Sequence, residues 1–89
     1  MYYITAIHLE EGEEHKHIKE VKLFDSLSER KWSWLVEDVI VQLRILPDTV
    51  YVKDRDKDIS VVIVEATPPY IRAKADGKLT NNLLELPRY

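Results

Sequence analysis

The sequence predicts an α+β domain: a small antiparallel sheet of four to five strands in the order β-β-α-β-β-β, with one helix packed on one face. Three observations predict it. β-branched and aromatic residues gather in short runs, Tyr2–Leu9 and Asp58–Glu65 above all, separated by glycine, proline and charged turns. One segment alone, Leu35 to Leu43, carries its apolar residues at helical spacing. And 89 residues, 45% of them hydrophobic, suffice for one core and no second one, so residues 1–89 are read as a single domain.

Along the chain, Tyr2 to Leu9 is the first strand, and Glu10–Glu14, with one of only two glycines, is a hairpin loop. A second strand is predicted from His15 to Phe24. Its apolar residues Ile18, Val21, Leu23 and Phe24 break strict alternation, which a bulge near Lys19 and Glu20 reconciles. The helix has two candidate starts. Ser26-Leu27-Ser28-Glu29 fits a capping box, and Ser33 is a second cap. From either start it runs to Leu43 or Arg44, with Leu35, Val36, Val39, Ile40 and Leu43 on one face. Glu37 and Asp38 near its start and Arg44 near its end suit the helix dipole, and Pro47 ends it. Strands follow at Thr49–Lys53 and Asp58–Glu65. The second of these is apolar on both faces at Val61–Val64, as a central strand would be. After Thr67-Pro68-Pro69 a short fifth strand spans Tyr70–Ala73, Asp76-Gly77 forms a turn, and Leu79–Leu86 is a tail packed by its leucines.

Composition narrows the function classes. No cysteine is present, which removes disulfides, thiolate metal sites and thiol catalysis. Thirteen basic residues are interleaved with sixteen acids for a net charge of -3, which disfavours a general nucleic-acid binder. No apolar run approaches the ~20 residues that span a bilayer, and Met1 leads into Tyr-Tyr-Ile-Thr rather than a signal sequence. The expectation is a cytoplasmic protein without a membrane partner.

The C-terminal third has the densest pattern: Tyr70-Ile71-Arg72, then Asp76-Gly77, then Asn82-Leu83, then Leu86-Pro87. It resembles a family of small, uncharacterised bacterial proteins, a domain of unknown function, with the same C-terminal signature. The resemblance implies a compact α+β fold and favours Ser33 as the helix cap. It implies no activity.

Four groups are candidate sites. His8, His15 and His17 lie on the first hairpin. A two-residue loop sets His8 opposite His15 and a four-residue loop sets it opposite His17, but the spacing fits no zinc motif and solvated histidines are the expectation. Asp54, Asp56, Asp58 and Glu65 imitate calcium-loop spacing. Ile59 stands where the loop needs glycine, and Lys53, Arg55 and Lys57 neutralise the acids, so a charged hairpin tip is expected. Trp32 and Trp34 flank a helix start and are expected to point in different directions, one buried and one partly exposed as an anchor. Tyr70, Arg72, Lys74, Asp76, Lys78 and Asn82, with Asn81 beside them, form a polar-basic group on alternate strand positions around a turn. With Trp34 they are the predicted binding residues. No catalytic residue, metal ligand or cofactor is predicted.

The functional expectation is therefore a non-catalytic protein-interaction or regulatory module. It would act through the C-terminal strand and tail or an exposed sheet edge, on a protein partner or on itself. The alternative is a nucleic-acid accessory protein using Arg72, Lys74, Lys78 and an exposed aromatic; a small enzyme ranks third.

Overall fold

Strand β1 (Tyr2–Leu9) and strand β2 (Ile18–Asp25) form an antiparallel pair whose buried residues Ile4, Ile7, Ile18, Val21 and Leu23 are not evenly spaced. Two bulges make them share a face. Ile4 pairs with Leu23 but Ala6 with Lys22, which leaves Thr5 extra; His8 pairs with Glu20 but Leu9 with Ile18, which leaves Lys19 extra. Each extra residue shifts the alternation by one, so apolar residues three apart both face inward. The bulge expected near Lys19 is present. The strand itself starts later than predicted, because His15–His17 is a 3-10 turn. There the His17 Nδ1 accepts the Glu14 N–H at 3.1 Å. Gly12 lies against the same imidazole, where a Cβ would collide.

In the computed structural model, which describes residues 1–89, the next segment departs most from expectation. Neither Ser28 nor Ser33 caps a helix. Asp25 accepts the Leu27 N–H at 3.0 Å and the Ser28 hydroxyl at 2.9 Å, and Glu29 takes a φ of 60°, so Ser26–Arg30 is a tight turn. The chain then reverses into strand β3 (Lys31–Leu35) along β2, with Trp32 opposite Leu23 and Trp34 opposite Val21. Trp-Ser-Trp-Leu alternates with a period of two, and pairing against β2 outweighs the local capping signals. Helix α1 (Val36–Ile45) begins only after Leu35, which caps it without a side-chain hydrogen bond. Val39, Ile40 and Leu43 form its buried face, and Leu35 stays exposed.

Strands β4 (Val50–Asp54), β5 (Lys57–Val64), β6 (Tyr70–Ala75) and β7 (Lys78–Thr80) follow as antiparallel hairpins, and a 3-10 turn spans Asn82–Glu85. The sheet thus has seven strands, not four to five, in the order β3-β2-β1-β4-β5-β6-β7. The two unpredicted strands are β3 and β7. The central position belongs to β4, with β5 beside it. All pairs are antiparallel except β1 with β4, which meet only at Tyr2–Val50 and Tyr3–Tyr51. Past Tyr3 that side of β1 is taken by the chain's C-terminal segment. The Ile7 N–H donates to the Pro87 carbonyl at 2.9 Å, and the Tyr89 N–H to the Ile7 carbonyl at 3.1 Å.

Helix α1 packs on β2, β3, β5 and β6, and the Asn82–Glu85 turn sits against β1, β4 and β6. Between them lies one core cluster of 15 buried residues. Leu83 is fully buried in it and Leu84 and Leu86 pack at its margin, while Leu79 is exposed, so the tail's leucines divide.

Candidate functional site

The sheet has two edges, β3 and β7, and β3 is the more open. Along an antiparallel ladder, residues alternate between those that exchange hydrogen bonds with the neighbour and those that do not. The Asp25 N–H donates to the Arg30 carbonyl at 2.9 Å. The alternation that starts there directs the main-chain polar groups of Trp32 and Trp34 toward β2. Those of Lys31 and Ser33, with the Leu35 N–H, point away from the sheet, while the Leu35 carbonyl belongs to the first turn of the helix. The side chains alternate as well. Trp32 and Trp34 are half-buried on the core side, their rings 5.6 Å apart and T-shaped, and Tyr2 meets them edge-on at 5.2 and 5.9 Å. Both tryptophans therefore share a face. The expectation that they point in different directions is corrected, because strand geometry puts residues two apart on one side. On the opposite face Lys31, Ser33 and Leu35 are exposed, and a groove of about 450 Å³ runs beside Lys31 and Ser33, lined by Thr5, Lys22, Leu23, Phe24 and Trp32 as well.

That outer face is also where the C-terminus folds down. The Tyr89 hydroxyl donates to Glu20 Oε1 at 2.9 Å, and Lys22 Nζ lies 4.5 Å from the ring centroid. Burial, and then the bond to Glu20, push the Tyr89 phenol up to about 12. His8 Nδ1 meets the Tyr89 main-chain oxygen and its Nε2 lies 3.2 Å from Glu10. The Tyr89 contact first, then Glu10, hold the His8 imidazolium above its ordinary range.

The predicted C-terminal group is split by the structure. Lys74, Asp76 and Asn82 line one groove of about 680 Å³ with Tyr51, Asp54, Lys57, Asp58 and Ser60. Its charges are mixed, and it is no cationic cradle for phosphate. Arg72 is engaged inside the protein: one guanidinium nitrogen donates to the Thr80 carbonyl at 3.2 Å and to Asn81 Oδ1 at 3.0 Å, and Nε is buried. It fastens the turn after β7 rather than projecting beside Lys74. Tyr70 lines a different groove with Lys16, Ile40 and Pro68, Lys78 is exposed at the start of β7, and Trp34 lies on β3. Four strands separate β3 from β6 in the sheet order. No single basic and aromatic face unites Trp34 with Arg72.

The histidines are likewise dispersed. His8 pairs with Glu20 rather than with His15 or His17, since the hairpin closes through a 3-10 turn. His15 is buried, and its Nε2 has no hydrogen-bond partner in the protein. Burial, and then the nearby Arg72 charge, hold its imidazolium below the ordinary range. No three histidine, aspartate or glutamate side chains converge as a metal ligand set. Two of the acids with calcium-loop spacing have separate partners. Asp58 binds Lys53 at 2.6 Å and accepts the Tyr3 hydroxyl at 3.0 Å, while Glu65 takes both Arg44 nitrogens at 2.9 Å. Lys53 and Arg44 respectively hold these carboxyls below their usual range.

The Tyr70–Pro87 signature thus maps onto β6, its turn, β7 and the buried Leu83, a structural unit. The model of the DUF3892 family, described as a protein of unknown function, matches residues 3–87. The chain belongs to this family. No curated protein and no solved structure matches it. The DUF3892 match takes in both sheet edges, so the open β3 lies within the family's extent. No helix of the chain is long and apolar enough to cross a membrane. The feature that sequence reasoning missed is β3 itself. Its signal was the period-two run from Lys31 to Leu35, masked by serines that also fit helix caps.

Proposed function

We propose that this chain is a non-catalytic protein-interaction module of the bacterial cytoplasm, which takes up an extended segment of a partner along the free edge of β3. The observation that carries the reading is a five-residue strand with a neighbour on one side only. Outward N–H and C=O groups on such an edge form a ladder with any added strand, and side-chain pockets beside it select the sequence. The two tryptophans and the groove beside Lys31 and Ser33 supply such pockets. The shifted titratable groups support a non-catalytic role. Those of Asp25, Glu65 and Asp58 trace first to hydrogen bonds within the fold, and that of Tyr89 to burial and then to its bond with Glu20.

The test is a Ser33→Pro variant. Proline on an edge, at a residue whose N–H faces away from the sheet, leaves the β2–β3 ladder intact and removes one donor from the open side. Proteins captured by the tagged wild-type chain are expected to be lost from Ser33→Pro. Equal capture by both, with the variant's circular dichroism unchanged, overturns the reading.

A further inference from the structure

We infer that the strand taken up at β3 belongs to a second copy of this chain, paired antiparallel about a two-fold axis through Ser33; this rests on the reading of β3 as the interaction edge. Lys31-Trp32-Ser33-Trp34-Leu35 is palindromic about its centre in the three residues that matter most. An isologous interface brings the same patch of each subunit to itself with the chain direction reversed. Antiparallel pairing about Ser33 sets Trp32 opposite the second copy's Trp34 and Ser33 opposite Ser33. Lys31 then falls opposite Leu35.

Three features fit this arrangement. The residues that pair across the axis are Ser33 with itself and Lys31 with Leu35. The main-chain groups of Lys31 and Ser33 and the Leu35 N–H already point outward from β3, while the Leu35 carbonyl is held in the first turn of the helix, so each Lys31–Leu35 pair makes one bond. The like charges of the two Lys31 side chains do not oppose one another. Each lies instead along Leu35, which is 51% exposed in the single chain and gains cover from the lysine's methylene stem. On the core side, the T-shaped Tyr2–Trp32–Trp34 row would continue into its symmetry mate, and directly opposed aromatic pairs favour strand association. Any other register on this strand leaves part of its five residues unpaired or removes the tryptophan pairing. The product is one sheet continuous through two copies.

The natural chain has no cysteine, so a single introduced thiol reports cleanly. Paired Cα atoms in a hydrogen-bonded antiparallel pair are ~5.5 Å apart, within disulfide reach. Under mild oxidation, Ser33→Cys is expected to give a covalent dimer at least about tenfold faster than Leu79→Cys on the opposite edge, because pre-association raises the effective thiol concentration. Sedimentation of the wild-type chain from about 10 μM to about 1 mM is expected to show the mass rising toward twice that of the chain, with Ser33→Pro remaining at the single-chain mass. Equal cross-linking at both positions, or a wild-type chain at single mass throughout, overturns the self-pairing. If Ser33→Pro nonetheless loses a captured heterologous protein, the edge reading stands and only the identity of its occupant changes. If the variant dimerises as the wild type does, the pairing lies elsewhere.

Discussion

The two edges of this sheet solve the same problem in opposite ways. At β7 the strand is three residues long and starts with a lysine. Arg72 clamps its end to Thr80 and Asn81, and the chain then turns so that Leu83 enters the core. A short, charged and fastened edge offers little to a passing strand. At β3 only the leading lysine recurs, as Lys31. Five residues run without proline, glycine or bulge, one charge stands at the start, and two tryptophans and a leucine follow. Side-chain chemistry that closes one edge is spent at the other on aromatic surface. The two edges, at opposite ends of the sheet order, thus differ in how much pairing surface they leave.

Four predictions break or sharpen this contrast, in order of their effect on stability. Leu83→Ala should destabilise the fold by about 2–5 kcal/mol, since a fully buried leucine leaves a cavity where the tail seals the β7 side; urea unfolding measures it. Arg72→Ala should cost about 1–3 kcal/mol by leaving the Thr80 carbonyl and Asn81 without their donor. Hydrogen exchange should quicken at Lys78–Thr80 and not at Lys31–Leu35. If both edges respond alike, the clamp is not local.

A smaller effect is expected with pH. Burial and then Arg72 lower the His15 pKa from its ordinary 6.5, so below that value the unfolded chain binds a proton that the folded chain resists. Stability from His15 is therefore present above the ordinary value and lost as pH falls toward the depressed one. His8 has the opposite sign. Its raised pKa contributes stability below the ordinary value that is lost as pH rises through the folded one. Urea midpoints between about pH 7.5 and pH 5.5 should fall on acidification less steeply in His15→Asn than in the wild type, and more steeply in His8→Asn. Identical slopes in all three would remove the histidines from the account. Ser33→Pro should change stability least, within about 1 kcal/mol, because its lost N–H faces no strand of the same chain and its lost hydroxyl touches only the Tyr89 phenol at an exposed position. A large loss would mean that β3 depends on that N–H and that the edge is not free.

Much of the fold was legible in the residues. Runs of β-branched and aromatic side chains mark β1, β4, β5 and β6, and the uneven apolar spacing after His15 marks the bulge at Lys19. Asp76-Gly77 foretold its hairpin, where φ values of 53° and 77° demand such residues. The candidate site was much less legible. The chemistry of Trp34 marks it as a binding residue while its sequence neighbours point to a helix start, and the charge of Arg72 marks it although that charge is turned inward.

What the sequence by itself determined is the content of elements that bury enough apolar side chain to declare their period: five strands, the one helix though not its start, and the turns with glycine or proline. What only the tertiary structure decided is the fate of short segments whose local signals conflict. Ser28 and Ser33 satisfied the pattern of helix caps, yet the hydrogen bonds and cross-strand contacts offered by β2 made Lys31–Leu35 a strand. Arg72 had the spacing of a binding residue, yet the carbonyl of Thr80, brought beside it by the β6–β7 turn, gave the guanidinium an internal partner. Propensity acts through neighbours in the chain and amounts to fractions of a kcal/mol per residue. Pairing partners distant in sequence contribute as much or more, and they exist only once the sheet is formed.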